Sequence, residues 1–223
     1  MQKILFNDKY GLTYEVLSGG KTQTRRIIPE ASLLRAEAFK EKYFDDTLDV
    51  LEGKELLEQF FLIDEVEKPQ YNKGEVVAIA QPYQYVWQNN AEKLQCKTLE
   101  EVAKLKRTAG WTNKMFVRAD LMLTRISITD IRIQRLQDIS NKDCIAEGIR
   151  KWTDEKDYAS DNMVRKSVNE ILANGHDAYA IPGCWDCYTS PKKAYAALID
   201  KISGKGTWEK NPWVFVYDFK LIK

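Results

Sequence analysis

Hydrophobic and polar positions along the chain follow two periods, and together they predict a mixture of strands and helices. Short apolar runs and stretches of strict alternation are typical of strands, because successive side chains of a strand point to opposite faces. The predicted strands are residues 3–6, 76–80, 114–118, 125–135 and 213–222. In the fourth of these, a change of phase at Thr129 and Asp130 predicts a β-bulge.

Helical spacing and capping signals predict helices between these strands. Residues 12–17 carry apolar side chains at helical spacing, and the two glycines at 19–20 end the pattern. A capping box at Thr98, a hydroxyl cap at Ser140 and a Ser-Pro pair at Ser190 mark three further helix starts. The helix that begins after Ser140 is predicted to end at about residue 148.

The order of these elements favours one α+β domain that spans residues 1–223. Five or six strands separated by unequal helical stretches, without a β-α-β rhythm, favour a small mixed β-barrel decorated with helices over a parallel sheet. Insertions are predicted at about residues 30–70, 83–112 and 150–190. The first is predicted to form one or two amphipathic helices, and the last a loosely structured excursion with a short helix.

Composition excludes several classes of protein. Hydrophobic residues make up 44% of the chain and charged residues 30%, as in an ordinary globular protein. The chain lacks a long apolar stretch and a secretory signal, and its four cysteines are too sparse for a disulfide scaffold, so a cytoplasmic protein is expected. A glycine-rich dinucleotide motif and a phosphate-binding loop are both missing from the sequence, and no cofactor or metal is predicted.

Charge is balanced overall but unevenly distributed. The formal net charge is +1, yet residues 30–68 carry 12 acidic against 5 basic side chains, and residues 102–135 carry 8 basic against 2 acidic ones. A local basic surface for nucleic acid is one interpretation of this division, and solvated charge on unrelated faces is the other.

The most distinctive chemistry lies just after the first helix, where a glycine break is followed by Lys21, Thr22, Thr24, Arg25 and Arg26. Neighbouring arginines and partial burial would both lower the pKa of the lysine and favour the neutral amine that acts as a general base. If the segment is helical, Lys21 and Thr24 face the same way, and the amine can take the hydroxyl proton. If it is extended, Thr22 is the alternative nucleophile, and a basic loop that grips phosphate or carboxylate also explains the pattern.

Several pieces in sequence order resemble the ASCH-domain family of the PUA-like superfamily. They are the Gly-x-Lys-x-x-Thr-Arg motif at residues 19–25, the strand opening at 73–77, the strand at 126–135, the helical segment at 136–149 and the terminal strand at 214–219. The resemblance covers about half the chain. The long form looks like the ASCH proteins of phages, prophages and Bacteroides-type genomes.

This resemblance implies a PUA-like β-barrel with a ligand cleft beside the Lys21 loop. RNA binding has long been proposed for the family, and its small bacterial members include an amidohydrolase that deacetylates acetylcytidine. That enzyme needs a lysine, a threonine and a glutamate, which match Lys21, Thr24 and Glu147 here. In the implied reaction Thr24 is the nucleophile, Lys21 the base and Glu147 the acid, while the oxyanion donor is either a backbone N–H near Thr24 or Arg26.

Three functions are therefore expected to compete. The first is RNA, nucleotide or nucleoside binding in a basic cleft lined by Lys21, Thr22, Arg25 and Arg26, with Tyr83 as a stacking platform. The second is the amidohydrolase, and the third is a phage or mobile-element accessory protein that acts through protein contacts. A narrow cleft where Lys21 and Glu147 converge on Thr24 favours the enzyme. A broad groove that continues to Arg118, Arg125 and Arg132 favours RNA, and a Lys21–Glu147 salt bridge that only holds the loop is the structural alternative.

The remaining candidate for metal or redox chemistry is weak. Cys184 and Cys187 form a single C-x-x-C pair, and His176 lies eight residues upstream. A zinc site needs at least one more ligand, so free thiols are the favoured interpretation.

Overall fold

The computed structural model describes residues 1–43, 68–152, 162–184 and 186–222. Within these residues the fold is a mixed α+β arrangement built on a five-stranded sheet, with a second sheet of three short strands beside it. Residues 44–67 and 153–161 lie outside the described residues. They include much of the predicted helical insertion at 30–70 and part of the one at 150–190.

The main sheet contains the strands that the sequence pattern predicts at both ends of the chain. Its strands are β1 (Lys3–Ile4), β2 (Gln23–Ile27), β3 (Val76–Ile79), β4 (Arg125–Arg135) and β8 (Trp213–Ile222). They lie in the order β1-β3-β4-β8-β2, with β1 and β3 parallel and every other pair antiparallel. The central strand is β4, and its register against β8 shifts between Ile128 and Asp130, which confirms the predicted bulge.

The two edge strands of this sheet approach each other without pairing. Arg26 of β2 donates from Nη2 to the carbonyl oxygen of Leu5, just after β1, at 2.8 Å. The ring of Phe6 lies 5.8 Å from that of Phe219 in β8, so the sheet curves around its apolar face. No backbone ladder joins β1 to β2 in the described part of the chain, and the predicted barrel is therefore an open, curved sheet there.

Helices cover the sheet and connect its strands. They are α1 (Leu12–Ser18), α2 (Glu30–Tyr43), α3 (Tyr83–Asn90), α4 (Leu99–Lys106), α5 (Asn141–Ala146), α6 (Asn162–Ala173), α7 (Pro191–Ser203) and α8 (Thr207–Lys210). The predicted caps are confirmed, because the hydroxyls of Thr98, Ser140 and Ser190 each accept from the backbone N–H three residues later. No helix within the described ranges combines the length and the apolar character that a membrane crossing requires.

The sequence pattern is wrong at residues 114–118, which form no strand. Lys114–Phe116 is a single 3₁₀ turn, one of three that follow each other after α4. Asn113 caps this turn through its side-chain oxygen, and Lys114 donates to backbone oxygen on Phe6. A local cap and a side-chain tether therefore replace the sheet pairing that the apolar pattern suggested.

The described part of residues 150–190 contains more secondary structure than its polar sequence predicts. Three two-residue strands, β5 (Arg150–Lys151), β6 (Tyr179–Ala180) and β7 (Cys187–Tyr188), pair antiparallel in a small sheet. Helix α6 packs beside it, with Val168 buried against Ala178. Strands of two residues are too short to show a period of two, which explains why the pattern did not predict them.

The core divides into two large clusters at β3. Val77 and Ile79 belong to the main cluster under the curved sheet, and Ala78 and Ala80 belong to a second cluster with residues of the 83–123 segment. Alternate side chains of one strand thus face two apolar environments, which accounts for its unbroken apolar sequence. The candidate site lies on β2, the edge strand at the opposite end of the sheet from β1.

Candidate functional site

The lysine-threonine segment is extended, and the helical turn considered from its sequence is wrong. Gly19 ends α1 in the left-handed conformation at φ 84°, and the backbone N–H of Lys21 donates to the oxygen of Glu15 at 2.9 Å. From Gln23 the chain continues as β2, because its five residues pair with β8. Lys21 and Thr24 are buried, at 2% and 4% exposure.

Glu147 reaches the same place from the opposite end of the chain. It is the residue at the C-terminal end of α5, and Gly148 follows it at φ 101°. The backbone N–H of Thr22 donates to Ala146 at 2.8 Å, which ties β2 to the end of this helix. Lys21 then donates from Nζ to Glu147 Oε2 at 2.5 Å and to its backbone oxygen at 2.7 Å.

A network of polar side chains supports this pair. Arg25 donates from Nη1 to Glu147 Oε1 at 3.0 Å and to Gln23 Oε1 at 2.5 Å. Gln23 donates in turn to Asp218 at 2.6 Å and to Asp143 at 3.2 Å. Each carboxylate oxygen of Glu147 thus contacts a different cation, and alternate residues of β2 supply the network because they share one face of the strand.

A pocket of about 180 Å³ opens onto this cluster. Its polar lining includes Lys21, Thr24, Arg25, Arg26 and Glu147. Its apolar lining includes Phe6, Leu12, Leu136, Leu198, Ile199 and Val214. A small ligand therefore meets charged groups on the β2 side and the apolar face of α7 on the other.

Burial controls the charge state of the lysine. Removal from water lowers the pKa of Lys21 below its ordinary value near 10.5, and Arg26 and Arg25 lower it further, whereas Glu147 opposes the shift. Because Arg25 already balances the charge of Glu147, a neutral Lys21 leaves these three groups with no net charge. These surroundings shift Lys21 toward the neutral amine while its nitrogen stays in contact with the Glu147 carboxylate, and such a pair can accept and pass on a proton.

The neighbouring thiol is unsuited to chemistry. Cys144, in α5, is fully buried, and burial raises its pKa to about 12. A thiol that holds its proton so strongly is a poor nucleophile. The hydroxyl of Thr24 is therefore the better candidate nucleophile in this part of the molecule.

Two of the predicted ligand-binding residues lie away from the pocket. Thr22 is exposed and is not among the residues that line the pocket, so the extended segment brings Thr24 and not Thr22 to the pocket. Tyr83 is a buried residue of the second core cluster, and its hydroxyl accepts from the backbone N–H of Arg118 at 2.9 Å. The expectation of a stacking platform at Tyr83 is corrected, since α3 places the ring in a core on the far side of β3.

The predicted basic groove is interrupted by acidic partners. Arg118 pairs with Asp120 at 2.6 Å on the surface, and Arg132 pairs with Asp218 and lies 3.6 Å from Asp143. Arg26 lines the pocket, but its Nη2 already donates a hydrogen bond to the backbone oxygen of Leu5. Two of the three arginines predicted to extend the groove, Arg118 and Arg132, are thus paired with acidic side chains, and no ion pair is seen for Arg125 among the described residues.

The C-x-x-C pair is the remaining candidate for metal or redox chemistry. Cys184 and Cys187 form no disulfide, and residue 185 between them lies outside the described residues. His176 is exposed. Within the described ranges, no group of three or more His, Cys, Asp or Glu side chains is placed to hold a metal ion. The third expected function, action through protein contacts, would be supported by an apolar patch on the insertion at about residues 30–70, and residues 44–67 of that insertion lie outside the described residues.

Sequence reasoning missed the residues that reach the site only through folding. Gln23, Asp143 and Asp218 meet because β2 pairs with β8 and packs on α5. Tyr195 lies in the pocket wall and carried one available signal, since it precedes Leu198 by three positions on the apolar face of α7. Comparison of the chain with protein-family models, with curated proteins and with solved structures returned no match. The function is therefore argued from the geometry of the site.

Proposed function

We propose that the protein is an amidohydrolase that removes an acetyl group from the exocyclic amine of a cytidine-type nucleoside. One observation carries the proposal: Lys21, Thr24 and Glu147 line a single small pocket, although 126 positions separate the lysine from the glutamate. The lowered pKa of Lys21 adds the chemical reason, because a threonine hydroxyl needs a base before it can attack a carbonyl.

The first half of the reaction is acyl transfer to the protein. Lys21 takes the hydroxyl proton of Thr24 as the oxygen attacks the acetyl carbon, and a tetrahedral oxyanion forms. Its collapse breaks the carbon–nitrogen bond and leaves an acetyl ester on Thr24. The protonated Lys21 gives this proton to Glu147, which it contacts, and Glu147 passes it to the leaving amine of the nucleoside, so that Lys21 is neutral again.

The second half returns the protein to its starting state. Water attacks the acetyl ester, and the neutral Lys21 takes one of its protons. The ester bond then breaks, acetate leaves, and the oxygen of Thr24 recovers a proton from Lys21. The reaction consumes one water and yields the free amine and acetic acid, which releases its proton to solvent as acetate, with no other reactant.

The shape of the pocket supports a small substrate over a polymer. A space of about 180 Å³ suits an acylated base with the sugar at the mouth, and its apolar wall on α7 provides a surface for the base. RNA binding, which the sequence placed first, is less well supported because acidic side chains neutralise Arg118 and Arg132. The motif at residues 19–25 supports membership of the ASCH family.

The test is incubation of purified protein with acetylcytidine and chromatographic detection of cytidine. We expect Thr24→Val to abolish release and Lys21→Ala to lower the rate by about 10²–10⁴-fold. Thr22→Val is the matched control, since it removes the neighbouring hydroxyl outside the pocket and is expected to leave the rate unchanged. Absence of release at protein concentrations near that of the substrate would refute the proposal. Salt-dependent RNA affinity in the same preparation would favour the binding function.

A further inference from the structure

Tyr195 lines the pocket, and its buried hydroxyl has no hydrogen-bond partner within the described residues. The residue lies in α7, is 1% exposed and lines the same pocket as Lys21 and Thr24. Its ring packs against Trp208 at 6.3 Å, edge to face. The hydroxyl makes no hydrogen bond of acceptable geometry within the described residues, which is rare for a buried polar group.

Arg25 has the same property on the facing wall. Its Nη1 donates to Glu147 and Gln23, but Nε and Nη2 make no hydrogen bond within the described part of the chain. The nearest acid to Nη2 is Asp143, at 3.6 Å, which is too far for a hydrogen bond. The guanidinium carbon lies 5.8 Å from the centre of the Tyr195 ring, so the two residues are neighbours.

Unused donors in a buried position reduce the stability of the folded protein, since they lose their water without gaining a partner. A ligand that accepts from both would remove this cost. Other polar groups of the pocket are already engaged, because Lys21 is bound to Glu147 and Arg26 to Leu5. The Tyr195 hydroxyl and the two unsatisfied nitrogens of Arg25 are thus buried donors that a ligand among these residues can use.

We propose that the Tyr195 hydroxyl and the Arg25 guanidinium together bind a carbonyl or carboxylate oxygen of the ligand and stabilise negative charge on it. This inference rests on the proposed function only for the identity of that oxygen, the acetyl oxygen that becomes negative when Thr24 attacks. It assigns the oxyanion site to Tyr195 of α7 and Arg25 of β2. The sequence analysis considered a backbone N–H near Thr24 or the Arg26 guanidinium instead.

The chemistry of the two groups fits this role. Burial, followed by the charge of Glu147, raises the pKa of Tyr195 well above its ordinary value, so the hydroxyl keeps its proton. Arginine keeps its charge at any pH at which the protein is folded. Both groups therefore donate at all working conditions, and donors already in place for a developing oxyanion are a major source of catalysis.

The first arm of the test compares Tyr195→Phe with Tyr71→Phe in acetylcytidine hydrolysis. Tyr71 is the matched control, because it is equally buried but its hydroxyl already donates to the backbone oxygen of Lys3 at 3.1 Å. We expect Tyr195→Phe to lower kcat about 10²–10³-fold with KM changed less than threefold, and Tyr71→Phe to leave kcat unchanged. The thermal midpoint should fall only for Tyr71→Phe, since Tyr195 loses no hydrogen bond.

The second arm uses acetate, whose carboxylate presents the same oxygen without any reaction. Calorimetry should detect binding to the wild-type protein and to Tyr71→Phe, weakened at least fivefold in Tyr195→Phe. If acetylcytidine is not hydrolysed but acetate binding depends on Tyr195, the proposed function fails and the donor site stands. Equal acetate affinity in wild type and Tyr195→Phe overturns the donor site whatever the hydrolysis result. So does the absence of binding to the wild type at acetate concentrations up to about 100 mM, where even a weak carboxylate site would fill.

Discussion

The pocket and the basic segment at residues 102–135 contain ion pairs of similar length in opposite surroundings. Lys21 and Glu147 lie 2.5 Å apart with side chains 2% and 5% exposed. Arg118 and Asp120 lie 2.6 Å apart with side chains 71% and 56% exposed. Nearly equal distances therefore describe one pair that has lost its water and one that has kept it.

The difference in hydration decides what each pair contributes. An exposed pair is screened by solvent and adds little to stability. A buried pair loses hydration energy that its attraction barely restores, so an apolar pair of the same size would serve the fold as well or better. The presence of the charged Lys21–Glu147 pair in the pocket despite this cost is explained by the proposed chemistry. A structural role alone explains it poorly.

The largest expected effect is the loss of stability when the buried carboxylate is removed. Glu147→Ala leaves Lys21 and Arg25 buried without their shared partner, and should lower the free energy of unfolding by about 3–5 kcal/mol. Asp120→Ala, the matched change at the surface, should leave the urea midpoint unchanged. Equal shifts of the two midpoints in urea denaturation would show that burial does not distinguish the pairs.

Strands and helices that carry their own local signals could be predicted from the sequence. The capping box of α4 and the bulge of β4 are written in a few adjacent residues, and both are confirmed. The sheet of β5, β6 and β7 has no such signal, because two residues cannot display a period. Local pattern also failed at residues 114–118, where a side-chain cap and the Lys114 tether override apolar character.

The candidate site divides in the same way. Lys21 and Thr24 stand out because they follow a glycine break, and Glu147 because of the family resemblance. Gln23 and Tyr195 could not be assigned, since one depends on the pairing of β2 with β8 and the other has the pattern of a core aromatic. Of the two backbone conformations considered for Lys21 to Thr24, the helical turn does not form. Pairing of β2 with β8 supplies backbone hydrogen-bond partners along the whole of β2 and favours the extended form.

The next effect is a dependence of stability on pH that belongs to Lys21. Its pKa is lowered in the folded protein, so between that value and about 10.5 the unfolded chain binds a proton that the folded protein does not. Stability should therefore rise with pH in this window, by up to about 1.4 kcal/mol per unit. Urea denaturation across the window should show this slope in wild type and in Lys104→Met, and its loss in Lys21→Met. A slope retained in Lys21→Met would assign it to another group.

Lys21→Met itself should change stability much less than Glu147→Ala. The methionine fills most of the lysine volume, and Glu147 keeps Arg25 as its partner at 3.0 Å. We expect a change within about 1.5 kcal/mol at neutral pH, together with loss of acetylcytidine hydrolysis. Unfolding by urea and the hydrolysis rate, measured on the same preparation, test this separation. A loss of stability as large as that of Glu147→Ala would favour a lysine that only holds the loop.

The smallest effect compares a cysteine beside the pocket with one that lies shortly before the basic segment. Cys144 beside the pocket is buried with its pKa raised to about 12, whereas Cys96 in the segment before α4 is partly exposed. Iodoacetamide at pH 8 should therefore modify Cys96 within minutes and leave Cys144 unmodified in the folded protein, with both modified in urea. Mass spectrometry of the digested protein reads each site separately. Rapid modification of Cys144 without urea would mean that water enters the helix end behind Glu147, and the low hydration on which the chemistry of Lys21 depends would be lost with it.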